Sequence, residues 1–113
     1  MFGMQYTNKI IMKSFSDHIR GSKPVLVDFF ATWCGPCQSM PPILKEVKAR
    51  LGDKITVLKI DVDRNPEIAR QYEIRGVPTL MVFQNQQIVW KQSGVASATA
   101  LIQQIAPLCT EIL

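Results

Sequence analysis

The sequence predicts an α/β fold in which a central mixed sheet of four to five strands is flanked by about four helices. Strand-like and helix-like segments alternate along the first half of the chain, a pattern that favours parallel pairing of neighbouring strands. Two strand-like runs then follow one another across a two-residue turn, which adds an antiparallel edge to the sheet. Because 113 residues leave room for one hydrophobic core, we expect a single domain over residues 1–113.

Composition and charge argue against several classes of protein. With 47% hydrophobic and 19% charged residues, the chain is of the ordinary globular type. Its net charge is +4, but the basic residues are scattered and form no run of about five, so we expect no nucleic-acid surface. No segment approaches the ~20 apolar residues of a membrane span. Charged residues also interrupt the first part of the chain, so no signal peptide is recognisable, and we expect a cytoplasmic protein.

The first half of the chain contains two expected strands and one long helix. A weak strand is expected at Asn8–Met12. The run Val25–Phe30, β-branched and aromatic without alternation, is typical of a strand covered on both faces. Apolar residues at helical spacing predict a helix from about Gly35 to Leu51, ended by Gly52. Pro41-Pro42 within it predicts a kink that sets the first turn apart.

The middle of the chain is predicted to form a strand, a short helix and a loop. Ile55–Ile60 has the composition of a second buried strand. Asn65 as a cap and Pro66 in the first turn predict a short helix that continues through Tyr72. Arg75–Pro78 has the composition of a loop.

The last part of the chain is predicted to form a hairpin and a helix. Thr79–Gln84 and Gln87–Lys91 are strand-like and are joined by Asn85-Gln86, although glutamine is a poorer turn residue than glycine. Ser97 can cap a final helix, which Pro107 is expected to bend or end early. The apolar face of that helix comprises Leu101, Ile102, Ile105, Leu108 and Ile112.

Cys34 and Cys37 are the strongest candidates for chemistry. Three cysteines do not suit a secreted disulfide framework, and Cys34-x-x-Cys37 has the spacing of redox and metal motifs. At the start of a helix, unpaired N–H groups and the helix dipole favour a thiolate at Cys34, the expected nucleophile. Cys37, one turn further on, is expected to lie deeper and to resolve the mixed disulfide. A zinc site is the alternative, but it needs four ligands and lacks a second cysteine pair.

Asp28 is an anomaly within its apolar strand, six residues before Cys34. Burial tends to raise the pKa of a carboxylate, so Asp28 is a candidate acceptor for the proton of the resolving thiol. The alternative is a hydrogen-bonded strand residue near the end of the sheet. Lys59 also lies in an apolar strand, where it either pairs with Asp28 or extends to water.

Two other residues with reactive side chains are expected to be inert. Cys109 falls on the apolar face of the last helix, where cysteine behaves as a small hydrophobic residue. His18 has no partner at the spacing of a metal site or a catalytic triad. We therefore predict no metal site.

The motif Trp33-Cys34-Gly35-Pro36-Cys37, placed between a buried strand and a helix, resembles the active site of the thioredoxin family. The resemblance runs from about Lys9 to Leu108. It includes further segments at family positions, namely Val25 to Phe29, Pro42 to Leu44, Asp61 to Asp63, Asn65-Pro66, Ile74 to Leu80 and Gly94.

The resemblance implies a thioredoxin fold and a protein-disulfide reductase that acts as an electron carrier. Its implied partners are disulfide-containing proteins and an NADPH-dependent thioredoxin reductase. It also implies a monomer with no bound cofactor beyond its own cysteine pair. Trp33, Gly35 and Pro36 would form the active-site turn, and Gly35-Pro36 is similar to the reducing members of the family.

The resemblance further implies the site residues around the cysteines. Pro78 would be a cis proline facing the thiols, where a substrate strand can pair with the neighbouring backbone. Asp28 and Lys59 match a buried pair of the family. The surface for partner proteins would comprise Trp33, Gly76, Val77, Pro78 and Gly94.

The sequence departs from the family at three positions. Phe30 stands where a second tryptophan is usual, Gln38 where a basic residue is common, and Gln86 where a hairpin glycine is common. These changes bear on partner preference more than on the chemistry.

Two other functions compete with a protein reductase. One is an adaptor that binds partners through Trp33 and Pro78 while its thiols are incidental. The other is a disulfide donor in an oxidising compartment, against which the Gly35-Pro36 pair and the missing signal peptide argue. The physiological substrates, the reductase and the reduction potential do not follow from the sequence.

Overall fold

A computed structural model describes residues 14–109 of the chain. Within them, four strands form one sheet in the order β2-β1-β3-β4. Strands β1 and β2 are parallel, whereas β1 with β3 and β3 with β4 are antiparallel, so the predicted mixed sheet is confirmed. The strands are β1 Val25–Phe30, β2 Thr56–Asp61, β3 Thr79–Gln84 and β4 Gln87–Ser93. The strand predicted at Asn8–Met12 lies outside the described residues.

Helices cover both faces of this sheet. The described part of α1 is residues 14–18. A 3₁₀ turn at Pro36–Ser39 leads into α2, Met40–Leu51, and α3 spans Pro66–Gln71. The last helix, α4, spans Ala98–Ile105 and is followed by a 3₁₀ turn at Ala106–Cys109.

Strand β1 divides its side chains between two packed layers. Val25, Val27 and Phe29 pack with aromatic residues and with residues of α1 and α3, on what we call the aromatic face. Leu26 packs with residues of α2 and α4, on what we call the α2/α4 face. Because successive strand residues point to opposite faces, Asp28 lies on the α2/α4 face with Leu26.

The kink predicted in the long helix lies slightly earlier than its prolines. The 3₁₀ turn gives way to α-helix at Met40, and the two prolines occupy the first turn of α2. A first-turn proline loses no intrahelical hydrogen bond, so Pro41 and Pro42 start the α-helix and do not interrupt it. The predicted separation of the first turn, which carries Cys37, is confirmed.

Strand β2 is less buried than its sequence predicts. It is shifted by one residue from the predicted Ile55–Ile60, and its residues are half-buried or exposed. Its apolar side chains are partly covered on both faces, Val57 on the α2/α4 face and Leu58 and Ile60 on the aromatic face. The prediction that this strand is as buried as β1 is therefore wrong.

The remaining elements agree closely with the sequence. Asn85 and Gln86 both have positive φ, of 54° and 67°, which is the conformation of a tight hairpin turn. Ser97 accepts a hydrogen bond from the Ala100 N–H, and α4 ends before Pro107, as predicted. Asn65 does not cap α3 with its side chain, because its amide donates to the Asp61 carbonyl instead.

Candidate redox-active site

Cys34 and Cys37 are joined by a disulfide between the end of β1 and the first helical turn. Their Cα atoms are 5.3 Å apart. The N–H of Cys37 donates to the Cys34 sulfur at 3.2 Å. An N–H in the first turn of a helix favours negative charge on a sulfur that accepts its hydrogen bond.

Burial does not distinguish the two cysteines. Cys34 is 4% exposed and Cys37 5%, so the expectation that Cys37 lies deeper is wrong. They differ in their neighbours instead. Cys34 precedes the helical turn and receives its N–H, whereas Cys37 lies within the turn and contributes that N–H.

The loop that precedes β3 lies against Cys34. The Val77–Pro78 peptide bond is cis, as the resemblance implied. The carbonyl oxygen of Val77 is 3.6 Å from the Cys34 sulfur. The loop is held by the Thr79 hydroxyl, which donates to the Gly76 carbonyl at 2.6 Å, and by the Gly94 N–H, which donates to the Pro78 carbonyl at 2.8 Å.

The sheet topology explains why these distant segments meet. Parallel β1 and β2 end at the same edge of the sheet, where β1 leads to Cys34. Antiparallel β3 begins at that edge, immediately after Pro78, and β4 ends there, next to Gly94. Gly94 has φ of 92°, a conformation that residues with a side chain rarely adopt.

Trp33 is the most exposed large hydrophobic side chain of the described residues, at 71%. Its indole N–H donates to the Asp63 carboxylate at 2.8 Å. Asp63 lies in a turn that the Asp61 carboxylate holds by accepting from the Asp63 N–H at 2.9 Å. The sequence analysis assigned no role to Asp63. Its position directly after β2 could have indicated one, because the end of β2 lies beside the end of β1, which leads to Trp33.

A shallow cavity of about 120 Å³ adjoins the disulfide. Trp33 and Gly76 are exposed and Val77 is half-buried, so three of the predicted docking residues face this opening. Gly94 is half-buried, and Pro78 is itself buried beneath the loop. The cavity is lined by Trp33, Val62, Ile74, Arg75, Gly76 and Val77.

Asp28 is buried, with 1% of its surface exposed. Neither of its carboxylate oxygens has a hydrogen-bond partner among the described residues. No protein group of residues 14–109 therefore supports the alternative of a hydrogen-bonded strand residue. Burial raises the pKa of Asp28 to about 6, and the positive charge of Lys59 offsets part of this increase.

Lys59 lies directly opposite Asp28 in the parallel pairing of β1 with β2. Its side chain is exposed, and its ammonium lies 5.3 Å from the centre of the Phe30 ring, an attractive cation–π arrangement. No ion pair between Lys59 and Asp28 is found among the described residues. Asp28 and Lys59 are therefore aligned on neighbouring strands and interact electrostatically. They do not form the buried pair that the resemblance implied, because only Asp28 is buried.

The other candidate ligands do not converge. Among residues 14–109, no group of three His, Cys, Asp or Glu side chains could hold a metal ion. Cys109 is half-buried, and its sulfur lies 3.5 Å from the Ile105 carbonyl and 3.7 Å from that of Lys54. His18 is exposed, and its Nδ1 lies 2.7 Å from the Ser14 carbonyl oxygen. Within the same range, no helix is long and apolar enough to cross a membrane.

Comparison with known proteins agrees with this geometry. The family model described as Thioredoxin matches residues 6–107. A thioredoxin-like protein of Synechocystis sp. is 53% identical over 93 residues, covering 81% of this chain and 89% of that protein. Thioredoxin Y, chloroplastic, of Oryza sativa subsp. japonica is 50% identical over 98 residues, which are 86% of this chain and 58% of that protein.

A solved structure supports the fold independently. The thioredoxin of Malassezia sympodialis superposes with a TM-score of 0.78 at 34% identity, over 87% of this chain and 85% of that one. The sheet order, the helices on both faces and the disulfide between β1 and α2 are thus seen together with sequence identity along most of the chain. The chain therefore belongs to the thioredoxin family of thiol–disulfide oxidoreductases.

Proposed function

We propose that the protein reduces disulfides of target proteins, with Cys34 as the attacking and Cys37 as the resolving residue. The observation that carries this assignment is the hydrogen bond from the Cys37 N–H to the Cys34 sulfur, at 3.2 Å. It favours the thiolate at Cys34 and not at Cys37. The order of the two cysteines in the reaction thus follows from an asymmetry within one helical turn.

The first step is attack of the Cys34 thiolate on a disulfide sulfur of the target. A bond forms between the two sulfurs, the target disulfide breaks, and its second sulfur leaves as a thiolate. The Val77 carbonyl, 3.6 Å from the Cys34 sulfur, precedes a proline without an N–H. This carbonyl can accept a hydrogen bond from a backbone N–H of an extended target strand that lies beside the sulfur under attack. Trp33, Gly76, Val77, Pro78 and Gly94 form the docking surface in this proposal.

The second step is attack of Cys37 on the mixed disulfide. Cys37 must first lose its proton, and we assign Asp28 as the acceptor. Its carboxylate is buried without a hydrogen-bond partner and lies on the α2/α4 face, beneath the helix that begins at the cysteines. A pKa of about 6 leaves Asp28 mostly ionised at neutral pH while making it a stronger base than an exposed aspartate. The Cys34–Cys37 disulfide forms, and the target leaves with both sulfurs reduced.

Each cycle leaves the protein oxidised, so two electrons must be returned to it. Within this family a thioredoxin reductase supplies them from NADPH, and we assign that partner to this chain. We extend the proposal to a single-domain monomer in a reducing compartment, for which the sequence suggests the cytoplasm. The thioredoxin Y relative is named chloroplastic.

Reduction of insulin in the presence of dithiothreitol tests this function. The purified protein should accelerate the precipitation of the insulin B chain, and Cys34→Ser should abolish the acceleration. Replacing both cysteines by serine serves as the control for an adaptor. If that double variant kept the full cellular role of the protein, the thiols would be incidental and the proposed function would be wrong.

A further inference from the structure

A second depression lies outside the redox site, between α2 and β2. Its volume is about 500 Å³, which is several times that of the cavity beside Trp33. Its apolar surface comes from one side of α2 and from the half-buried middle of β2. The apolar lining residues are Pro41, Leu44, Ala49 and Val57.

Three lysines also line this groove, and no carboxylate of residues 14–109 does. Lys48 is fixed in place, because its ammonium donates to the carbonyls of Gly52 at 2.9 Å and Ile55 at 2.7 Å. Lys59 lies over the Phe30 ring, at the end of the groove nearest the disulfide. The third cation is Lys45, one helical turn after Pro41.

These lysines carry charge that the described part of the chain does not neutralise. The three salt bridges within residues 14–109 all use arginines: Arg20 with Asp17, Arg50 with Glu46, and Arg70 with Glu67. Asp28 attracts Lys59 from the neighbouring strand, but the Asp28 carboxylate is buried and forms no ion pair with the Lys59 ammonium. A ligand with negative charges would therefore meet cations that have no ion-pair partner among residues 14–109.

The groove is continuous with the redox site. Pro41 lies four residues after Cys37 on the same helical segment, and the Phe30 ring beneath Lys59 packs against the Cys34 and Cys37 cluster. Lys45 is eight residues beyond Cys37, a helical rise of about 12 Å, and the Cα of Cys34, which bonds the target, is 5.3 Å from that of Cys37. An extended chain spans the two distances together in about four to six residues. A segment of a bound target can therefore reach the groove from the sulfur under attack.

We propose that this groove, lined by Lys45, Lys48 and Lys59, docks an acidic and apolar segment of the target protein about four to six residues from its reactive cysteine. The inference rests on the proposed function and adds a substrate preference to it. A peptide with alternating acidic and apolar side chains suits the groove, because acids can meet the lysines while apolar side chains cover Pro41 and Val57. A nucleic acid would leave the apolar lining uncovered.

Two matched peptides test the preference. Each contains one cysteine in a mixed disulfide with a chromophoric aromatic thiol, a five-residue spacer, and a tail of Glu-Leu-Glu-Leu-Glu or Gln-Leu-Gln-Leu-Gln. The tail is placed before the cysteine in one set and after it in the other. The second-order rate of chromophore release by the reduced protein should be about threefold to tenfold higher with the acidic tail, in at least one set, at low salt. Half-molar sodium chloride should remove the difference.

Charge reversal separates the groove from the general positive charge of the protein. Lys45→Glu should abolish or invert the ratio of acidic to neutral rates. Lys91→Glu is the matched control, because Lys91 is exposed on β4 at the opposite edge of the described sheet, and it should keep the ratio. Equal rates for the two tails in both sets would overturn the proposal. An equal loss of the acidic-tail preference in Lys45→Glu and Lys91→Glu would overturn it as well.

Two further outcomes distinguish the possible failures. A cysteine-free acidic peptide should slow the reaction of the acidic-tailed substrate, whereas an oligothymidylate at equal charge concentration should not. Equal competition by the oligothymidylate would show a general polyanion site and would overturn the assigned occupant. If neither peptide were reduced at all, the proposed function itself would have failed, whereas reduction without a tail preference would remove only this inference.

Discussion

The two faces of the sheet are built from alternate residues of the same strand, yet they bury different chemistry. On the aromatic face, the rings of Phe15, Tyr72 and Phe83 meet edge to face, with centroids 5.4 to 5.8 Å apart. On the α2/α4 face, Asp28 is buried without a hydrogen-bond partner among the described residues. Buried rings in such contacts stabilise the fold, whereas a buried carboxylate destabilises it whenever it is ionised.

The aromatic face contributes packing, whereas the α2/α4 face combines packing with a buried carboxylate that can take part in the reaction. Phe83 lies near the end of β3, away from the edge of the sheet that carries the disulfide. Asp28 lies on the face covered by α2, the helix that follows the disulfide. The protein therefore tolerates an unfavourable group on the side where a proton acceptor is useful, and apolar packing on both faces offsets its cost.

The largest expected effect is the loss of an aromatic ring far from the disulfide. Phe83→Ala should lower the free energy of unfolding by about 3–5 kcal/mol, because Phe83 is fully buried and its removal leaves a cavity. Urea unfolding at 25 °C measures this. The matched control is Ile88→Ala, opposite Phe83 on β4 and 43% exposed, which should change stability by less than about 1 kcal/mol. A loss of insulin reduction per folded molecule in Phe83→Ala would contradict the separation of the two faces.

On the α2/α4 face, Asp28→Asn should raise the free energy of unfolding at neutral pH, whereas Phe83→Ala lowers it. The folded-state pKa of Asp28, about 6, lies above the ordinary 3.8, so folding binds a proton and stability falls as the pH rises between these values. The variant does not titrate there. Its stability relative to the native protein should therefore increase by roughly 2 kcal/mol between pH 4 and pH 7. Unfolding at both pH values measures this, and Asp53→Asn, an exposed position, should show no such increase.

The same variant should react more slowly. Without the acceptor, resolution of the mixed disulfide by Cys37 at pH 7 should slow by about tenfold to a hundredfold, and less at pH 9, where the thiol ionises without help. Stopped-flow resolution of a preformed mixed disulfide measures this step alone. An unchanged rate at pH 7 would remove Asp28 from the mechanism even if the stability prediction held.

A smaller effect is expected at the docking surface. Asp63→Asn replaces the carboxylate that accepts the Trp33 indole N–H at 2.8 Å by a weaker neutral acceptor. The pair is exposed, so the free energy of unfolding should change by less than about 1 kcal/mol. Because the orientation of Trp33 is then less fixed, the KM for insulin should rise by about threefold with little change in kcat. An equal fall of kcat would instead indicate a role in the chemistry.

The smallest effect concerns Lys59. Its positive charge lowers the pKa of Asp28, so Lys59→Gln should raise that pKa further above about 6. The pH at which reduction reaches half of its maximal rate should move upward in the same direction. Titration of the Asp28 carboxyl carbon by NMR measures the shift. A downward shift would show that the ammonium over Phe30 does not act on the carboxylate.

The sequence predicted the chemistry of this site better than its surroundings. The disulfide pair, the cis proline and the anomaly at Asp28 follow from local composition or from the family resemblance, because each depends on a few residues in a fixed order. The contact between Trp33 and Asp63 joins residues thirty positions apart through the ends of parallel strands, and a linear pattern does not show it.

The errors of the sequence analysis also have physical reasons. The apolar composition of β2 predicts a buried strand, but composition does not specify how fully the neighbouring elements cover each side chain. The family resemblance implied a buried pair of Asp28 and Lys59, but the Lys59 side chain is exposed and its ammonium lies over Phe30, which is the alternative that the sequence left open. The similar burial of Cys34 and Cys37 was not expected from their order along the helix.

The most direct test of the account is covalent trapping of targets by the two single-cysteine variants. With Cys37→Ser, attack by Cys34 still occurs but resolution does not, so mixed disulfides with target proteins should accumulate and should be released by dithiothreitol. With Cys34→Ser, almost none should form. Non-reducing electrophoresis of both variants after incubation with oxidised target measures this. Equal trapping by the two variants, or trapping by Cys34→Ser alone, would contradict the assigned direction of the dithiol.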